Sequence, residues 1–173
     1  MGIKIRKIIN FDEHNITDSA YAENCANILE SNGILLLPNF ICQPAINKLI
    51  IEADDNKDKA YYSISTHNVF LTPKNNLLSA DHIFNRQVKS SKGCITTDQV
   101  PADSHLHKLY KSQLFRSFVA RIVGEKKLYG YADPLSGINI HYASHGQELG
   151  WHFDNSKFAV TLLLRSPNKG GVF

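Results

Sequence analysis

Trp151-His152-Phe153-Asp154-Asn155-Ser156-Lys157-Phe158-Ala159-Val160-Thr161-Leu162-Leu163 is the stretch on which the fold of this chain turns. A His and an Asp stand one residue apart at the entry to an apolar, β-branched run, which predicts a strand over 150–164. Side chains at i and i+2 of a strand point to the same face. The His152 imidazole and the Asp154 carboxylate are therefore expected to converge on one ion. Neutral imidazole with a hard carboxylate supplies two of the three donors that hold non-haem Fe(II) and leave positions open. The third donor, a second His, is expected much later in the chain, yet only nineteen residues follow Asp154.

Upstream, the pattern is helical. Asp18-Ser19 is a good N-cap pair for a helix through Tyr21, Ala22, Cys25, Ala26 and Leu29, with Gly33 just past its end. Ile34 to Leu37 reads as a buried strand closed by Pro38-Asn39. Pro44 suits the first turn of a second helix over about 43–53, with Ile46, Leu49 and Ile50 on one face and a charged turn after it. Ser63 to Leu71 reads as extended chain, and 75–104 as a long polar loop or lid. Leu106 to Val123 returns to helical period and stops at Gly124. Strands are expected over 128–131, 137–142 and 150–164, with Trp151 alternating away from His152 into the core. Helices first and strands later predict an α+β to mainly β chain, with helices flanking a barrel or jelly roll.

Composition sets the bounds. At 173 residues, 43% hydrophobic and 20% charged, the chain is the size of one ordinary globular domain. The net charge of +3 is spread along the sequence, and 86–92 reads as a solvated loop rather than a nucleic-acid groove. Cys25, Cys42 and Cys94 are odd in number and widely spaced, which points to reduced thiols and a cytoplasmic setting. Met1 to Arg6 has no continuous apolar leader region, and no run approaches the ~18 apolar residues of a membrane span. No internal repeat, phosphate-binding Gly loop, CxxC or Ser-His-Asp arrangement is visible.

The segment Asn139-Ile140-His141-Tyr142-Ala143-Ser144-His145-Gly146-Gln147-Glu148-Leu149-Gly150-Trp151-His152-Phe153-Asp154 resembles the strand, turn and metal-bearing strand of the Fe(II)- and 2-oxoglutarate-dependent oxygenases. Gly170-Gly171-Val172-Phe173 resembles the Gly-Gly turn that begins a later strand of that family. The run from His152 to Pro167 followed by Gly-Gly, together with Gly33 to Phe40 and Asp98 to Gly124, is similar to a branch of small-molecule hydroxylases and halogenases. The resemblance implies a double-stranded β-helix (jelly roll, cupin-like) with N-terminal flanking helices: a single domain over 1–173, helical and irregular over 1–124, with the first core strands over 125–173. It implies His152 and Asp154 as iron ligands, 2-oxoglutarate as cosubstrate, and oxygen and a small polar metabolite, such as an amino acid or derivative, as partners. Halogenating members carry a small residue in place of the carboxylate, so Asp154 points to a hydroxylase. The family's distal His and its 2-oxoglutarate-binding Arg are expected beyond the Gly-Gly turn. The chain is accordingly expected to be part of a longer protein and inactive alone.

Other readings stay open at this stage. His152 and Asp154 could be a hydrogen-bonded pair, and His141, His145 and His152 could hold zinc in a cupin-like module. Asn139 and His141, two apart on one strand face, are candidates for the cosubstrate pocket. Asn155, Arg86 and His67 are candidates for substrate contact, Arg86 because a guanidinium suits a carboxylate. From a different class comes a non-catalytic jelly-roll remnant with a binding or assembly role. Nothing in the sequence fixes an oligomeric state.

Overall fold

A computed structural model describes residues 5–171, which fold into two compact units. Met1 to Lys4 of the N-terminal segment, and Val172-Phe173 of the expected Gly-Gly turn, lie outside the described residues. The first unit takes in the stretch ending at Asp55, Thr96–Ile138 and the stretch beginning at Leu163. The second comprises Asn56–Ile95 and Asn139–Leu162. No helix among the described residues is long and apolar enough to cross a membrane.

The first unit is helical. Helix α1 (Ser19–Asn32) begins where Asp18 Oδ1 accepts the Ala20 N–H at 2.8 Å, and ends at Gly33, whose φ is 71°. Helix α2 (Gln43–Asp55) buries Ala45, Leu49 and Ala53, one residue per turn on one face. The single helix expected from Leu106 to Val123 is two: α3 (His105–Tyr110) and α4 (Gln113–Ile122). Ser112 breaks the pattern because its Oγ accepts the Phe115 N–H at 3.3 Å, so it serves better as an N-cap than inside a helix. Ile8, Ile9, Ile16, Ala22, Cys25, Ile41 and Phe118 form the core, with Tyr21 and Phe40 stacked on Phe118 at 5.8 and 6.2 Å. Each such large apolar side chain contributes roughly 1.5–3 kcal/mol on burial.

The expected buried strand over 34–37 is absent. Leu36 is 74% exposed, and the segment is held by its ends instead. His14, buried, donates from Nε2 to the Pro38 carbonyl at 2.6 Å, which leaves Nδ1 to accept from the Tyr21 hydroxyl at 2.6 Å. An isolated antiparallel bridge joins Ile9 to Ile41. The strand expected over 128–131 is also missing; that chain is irregular, and the Tyr131 N–H donates to the Tyr110 hydroxyl at 2.7 Å.

The second unit is an open, antiparallel sheet in the order β1-β2-β3. Strand β1 (Tyr61–His67) pairs with β2 (Val88–Ile95) from Tyr61↔Cys94 to His67↔Val88. β2 pairs in turn with the three-residue β3 (Ile140–Tyr142), Cys94 facing His141. β2 lies inside the stretch expected to be loop or lid. Its alternation is carried by Ser91, Gly93 and Ile95, small or polar on all but one buried position, which hides it from a hydrophobicity reading. The connection between β1 and β2 is organised by two buried Asn side chains. Asn68 Oδ1 accepts the N–H groups of Phe70 and Thr72, and Asn85 Nδ2 donates to the carbonyls of Asn75, Leu78 and Ser79.

The helices and the antiparallel sheet make an α+β chain. The strand expected over 150–164 is irregular chain, bent at 155–157, with no ladder partner among the described residues, and Trp151, expected in the core, is 81% exposed. Backbone amides need a neighbouring strand to form a ladder, and for this run the described residues supply none. Gly170 and Gly171 both have positive φ, 75° and 63°, as a Gly-Gly turn requires.

Candidate metal centre

The chain returns along β2 after β3. A turn over 144–147 lets Glu148 rejoin the edge of β2, where the Ser91 N–H donates to the Glu148 carbonyl at 2.7 Å. Two residues on, the Gly150 N–H donates to Ser90 Oγ at 2.9 Å. Only glycine fits here: a Cβ on Gly150 would lie 2.6 Å from the Lys89 carbonyl oxygen and 2.8 Å from Val88 Cγ2. The Gly150 carbonyl is then fixed as an acceptor, and His152 Nδ1 donates to it at 2.7 Å.

That hydrogen bond sets the imidazole. With the proton on Nδ1, Nε2 presents its lone pair. Asp154 Oδ1 stands 3.4 Å from it. The two side chains approach each other without a strand ladder. Two acceptors facing each other at this distance invite a proton or a cation between them. Two donors of one ion, each ~2.1 Å from it in adjacent positions, lie about 3 Å apart, close to the observed spacing. Both side chains remain reachable, at 32% and 55% exposure.

His67, from the end of β1, lies edge-on to His152 with ring centroids 5.5 Å apart. Its Nδ1 donates to the Asn68 carbonyl at 3.0 Å, so Nε2 accepts from Ser90 Oγ at 2.8 Å. Both ring nitrogens are therefore committed to the scaffold. Ser90 and Gly150 escaped the sequence reading; only the Gly of the turn before the His carried a signal. Phe153 joins the same scaffold through its N–H to the Val69 carbonyl at 2.7 Å and its ring stacked on Phe70 at 5.6 Å.

The remaining candidates are more scattered. Asn139, beside β3, accepts from Cys94 Sγ at 3.7 Å. His141 on β3 faces solvent, and desolvation of its ring, followed by the charge of Lys92, holds its pKa below the ordinary imidazole value. Asn155 and Arg86 are exposed. No group of three His, Cys, Asp or Glu side chains able to hold a metal occurs among the described residues, so His141, His145 and His152 are not gathered into a zinc site.

The model of one family, Halogenase D, matches residues 81–173, more than half of the chain. The chain belongs to the halogenase D family. No curated protein and no solved structure matches it. In this halogenase D member the matched region holds β2, α3, α4, β3, the Gly150 crossing and the His152–Asp154 pair, whereas His67 lies upstream of it.

Proposed function

We propose that this member of the halogenase D family takes part in Fe(II)- and 2-oxoglutarate-dependent oxygenation of a small metabolite, such as an amino acid or derivative, and that it serves hydroxylation. The observation that carries the reading is the Asp154 carboxylate, 3.4 Å from His152 Nε2. A halogenating relative is expected to have a small side chain there, leaving room for halide.

His152 and Asp154 would hold the iron, and a second His, on a strand pairing with the run after Asp154, would complete the set. The exposed apolar side chains of that run, Val160 and Leu163 among them, support its place in a larger double-stranded β-helix whose first strands lie within 125–173. Iron with 2-oxoglutarate would supply the activation of oxygen. The protein's own part is orientation. The Gly150 carbonyl holds the His152 ring. Asn139 and His141 would serve the cosubstrate side, and Asn155 and Arg86 the substrate, Arg86 as partner for a carboxylate. His67, both of whose ring nitrogens are engaged, would support the His152 ring from beside it. Three free thiols, Cys25, Cys42 and Cys94, favour a reducing, cytoplasmic setting.

Anaerobic titration with Fe(II) and 2-oxoglutarate of a protein that carries this chain together with the second His and the 2-oxoglutarate-binding Arg, followed by the visible charge-transfer band of the chelated metal, tests this. His152→Ala and Asp154→Ala are expected to abolish the band, and Asp154→Gly to retain part of the metal affinity. Undiminished metal uptake in both alanine variants would overturn the assignment, and a chlorinated product in place of an oxygenated one would overturn the hydroxylation half.

A further inference from the structure

Helix α4 ends in a motif that folds the chain back on itself. The Glu125 N–H donates to the Ala120 carbonyl at 2.8 Å and the Gly124 N–H to that of Arg121 at 3.3 Å, with Gly124 at φ 70°. This pair of bonds is the Schellman closure, which needs a left-handed residue such as glycine. Its consequence is a concavity. Gln113, Arg116, Ser117 and Arg121 share one face of α4 at helical spacing, and the returning segment lays Lys126 and Lys127 against that face. Together with Leu128 they line an open concavity of about 210 Å³.

Four cations line this cavity against one carboxylate, Glu125. Arg116 Nη2 donates to Gln113 Oε1 at 3.4 Å, which holds the guanidinium along the helix face. Gln113 Nε2 donates to Ser117 Oγ at 3.2 Å, which leaves the Ser117 hydroxyl hydrogen to donate elsewhere. Lys127 lies 4.9 Å from the centre of the Tyr129 ring and is steadied there. Arg121, in the last turn, also complements the negative end of the helix. That role does not extend to Arg116 in mid-helix.

We infer that this cavity is a binding site for a small molecule carrying a phosphate group. Guanidinium forks match phosphate oxygens, lysines add point charge, and Ser117 adds a neutral donor. The site shares no residue with the His152–Asp154 pair and does not depend on the reading of that pair.

Calorimetric titration of the whole chain with inorganic phosphate, at low ionic strength, tests it. One saturable site is expected, weakened about tenfold by Arg116→Gln and similarly by Lys126→Gln, in line with the loss of one charge-assisted bond. Lys126 is exposed, so its variant leaves the fold intact should Arg116→Gln perturb packing. Lys74→Gln, outside the cavity, is expected to leave binding unchanged. Ribose 5-phosphate is expected to bind more tightly than inorganic phosphate, since Leu128 offers a surface to an organic moiety. Absence of saturable binding, equal weakening by Lys74→Gln, or tighter binding of citrate than of either phosphate would overturn the inference.

Discussion

The His152–Asp154 pair depends on a residue that carries no chemistry of its own. Gly150 lets the chain pass close enough to β2 for its N–H to reach Ser90 and its carbonyl to hold His152. Gly150→Ala places a methyl 2.6 Å from a backbone oxygen, which cannot move without disturbing the ladder. The expected cost is roughly 1–3 kcal/mol, read as a lowered denaturation midpoint. Gly93→Ala is the control. Its Cβ would meet Tyr62 Cε1 at an equally short 2.6 Å, but that ring is 45% exposed and can swing away. Unfolding curves should therefore place Gly150→Ala well below Gly93→Ala; equal midpoints would show that the approach at Gly150 is not a constraint.

At the scale of elements, local signals decided what the sequence disclosed. The two N-terminal helices were legible because their stops and periods are local: Asp18 caps α1, Gly33 closes it, and Leu49 sits mid-face in α2. Asp18→Ala should cost about 1 kcal/mol, the usual worth of a side-chain N-cap. Gly33→Ala, with nothing within 4 Å to strike, should cost about as much through its left-handed backbone alone. Thermal unfolding of both variants checks the two values. Strands were less legible, since a strand exists only with a partner. The apolar run after Asp154 has the residues of a strand but pairs with none among the described residues, whereas β2, poor in apolar residues, is central because β1 and β3 flank it. His152 Nε2 and Asp154 Oδ1 stand 3.4 Å apart with no ladder around them, so their approach does not depend on that strand. Ser90 could not be foreseen, because it acts across long sequence separations that no spacing rule encodes.

For the molecule as a whole, two histidines contribute to its response to acid in one direction. His105, half-buried at the start of α3, is held below the ordinary imidazole value of 6.5, first by desolvation and then by Lys48 and Lys108, with Glu52 and a bond to the Ala45 backbone opposing. His141 is lowered in the same sense, by desolvation and then by Lys92. The folded chain therefore binds protons at these sites less readily than the unfolded chain does. Between the folded values and 6.5 the unfolded state holds more protons, so stability rises with pH across that window. The contribution is fully present above about 6.5 and is lost as pH falls through the folded values. Asp133, lowered by hydrogen bonds from Ser136 and the Leu135 N–H, acts in the same direction, but only below 3.8. Urea midpoints are thus expected to fall between pH 7.5 and pH 5. A His105→Gln, His141→Gln double variant, which keeps polar side chains but cannot take up these protons, should show a shallower fall over that interval. An unchanged slope in the double variant would assign the acid sensitivity to other groups.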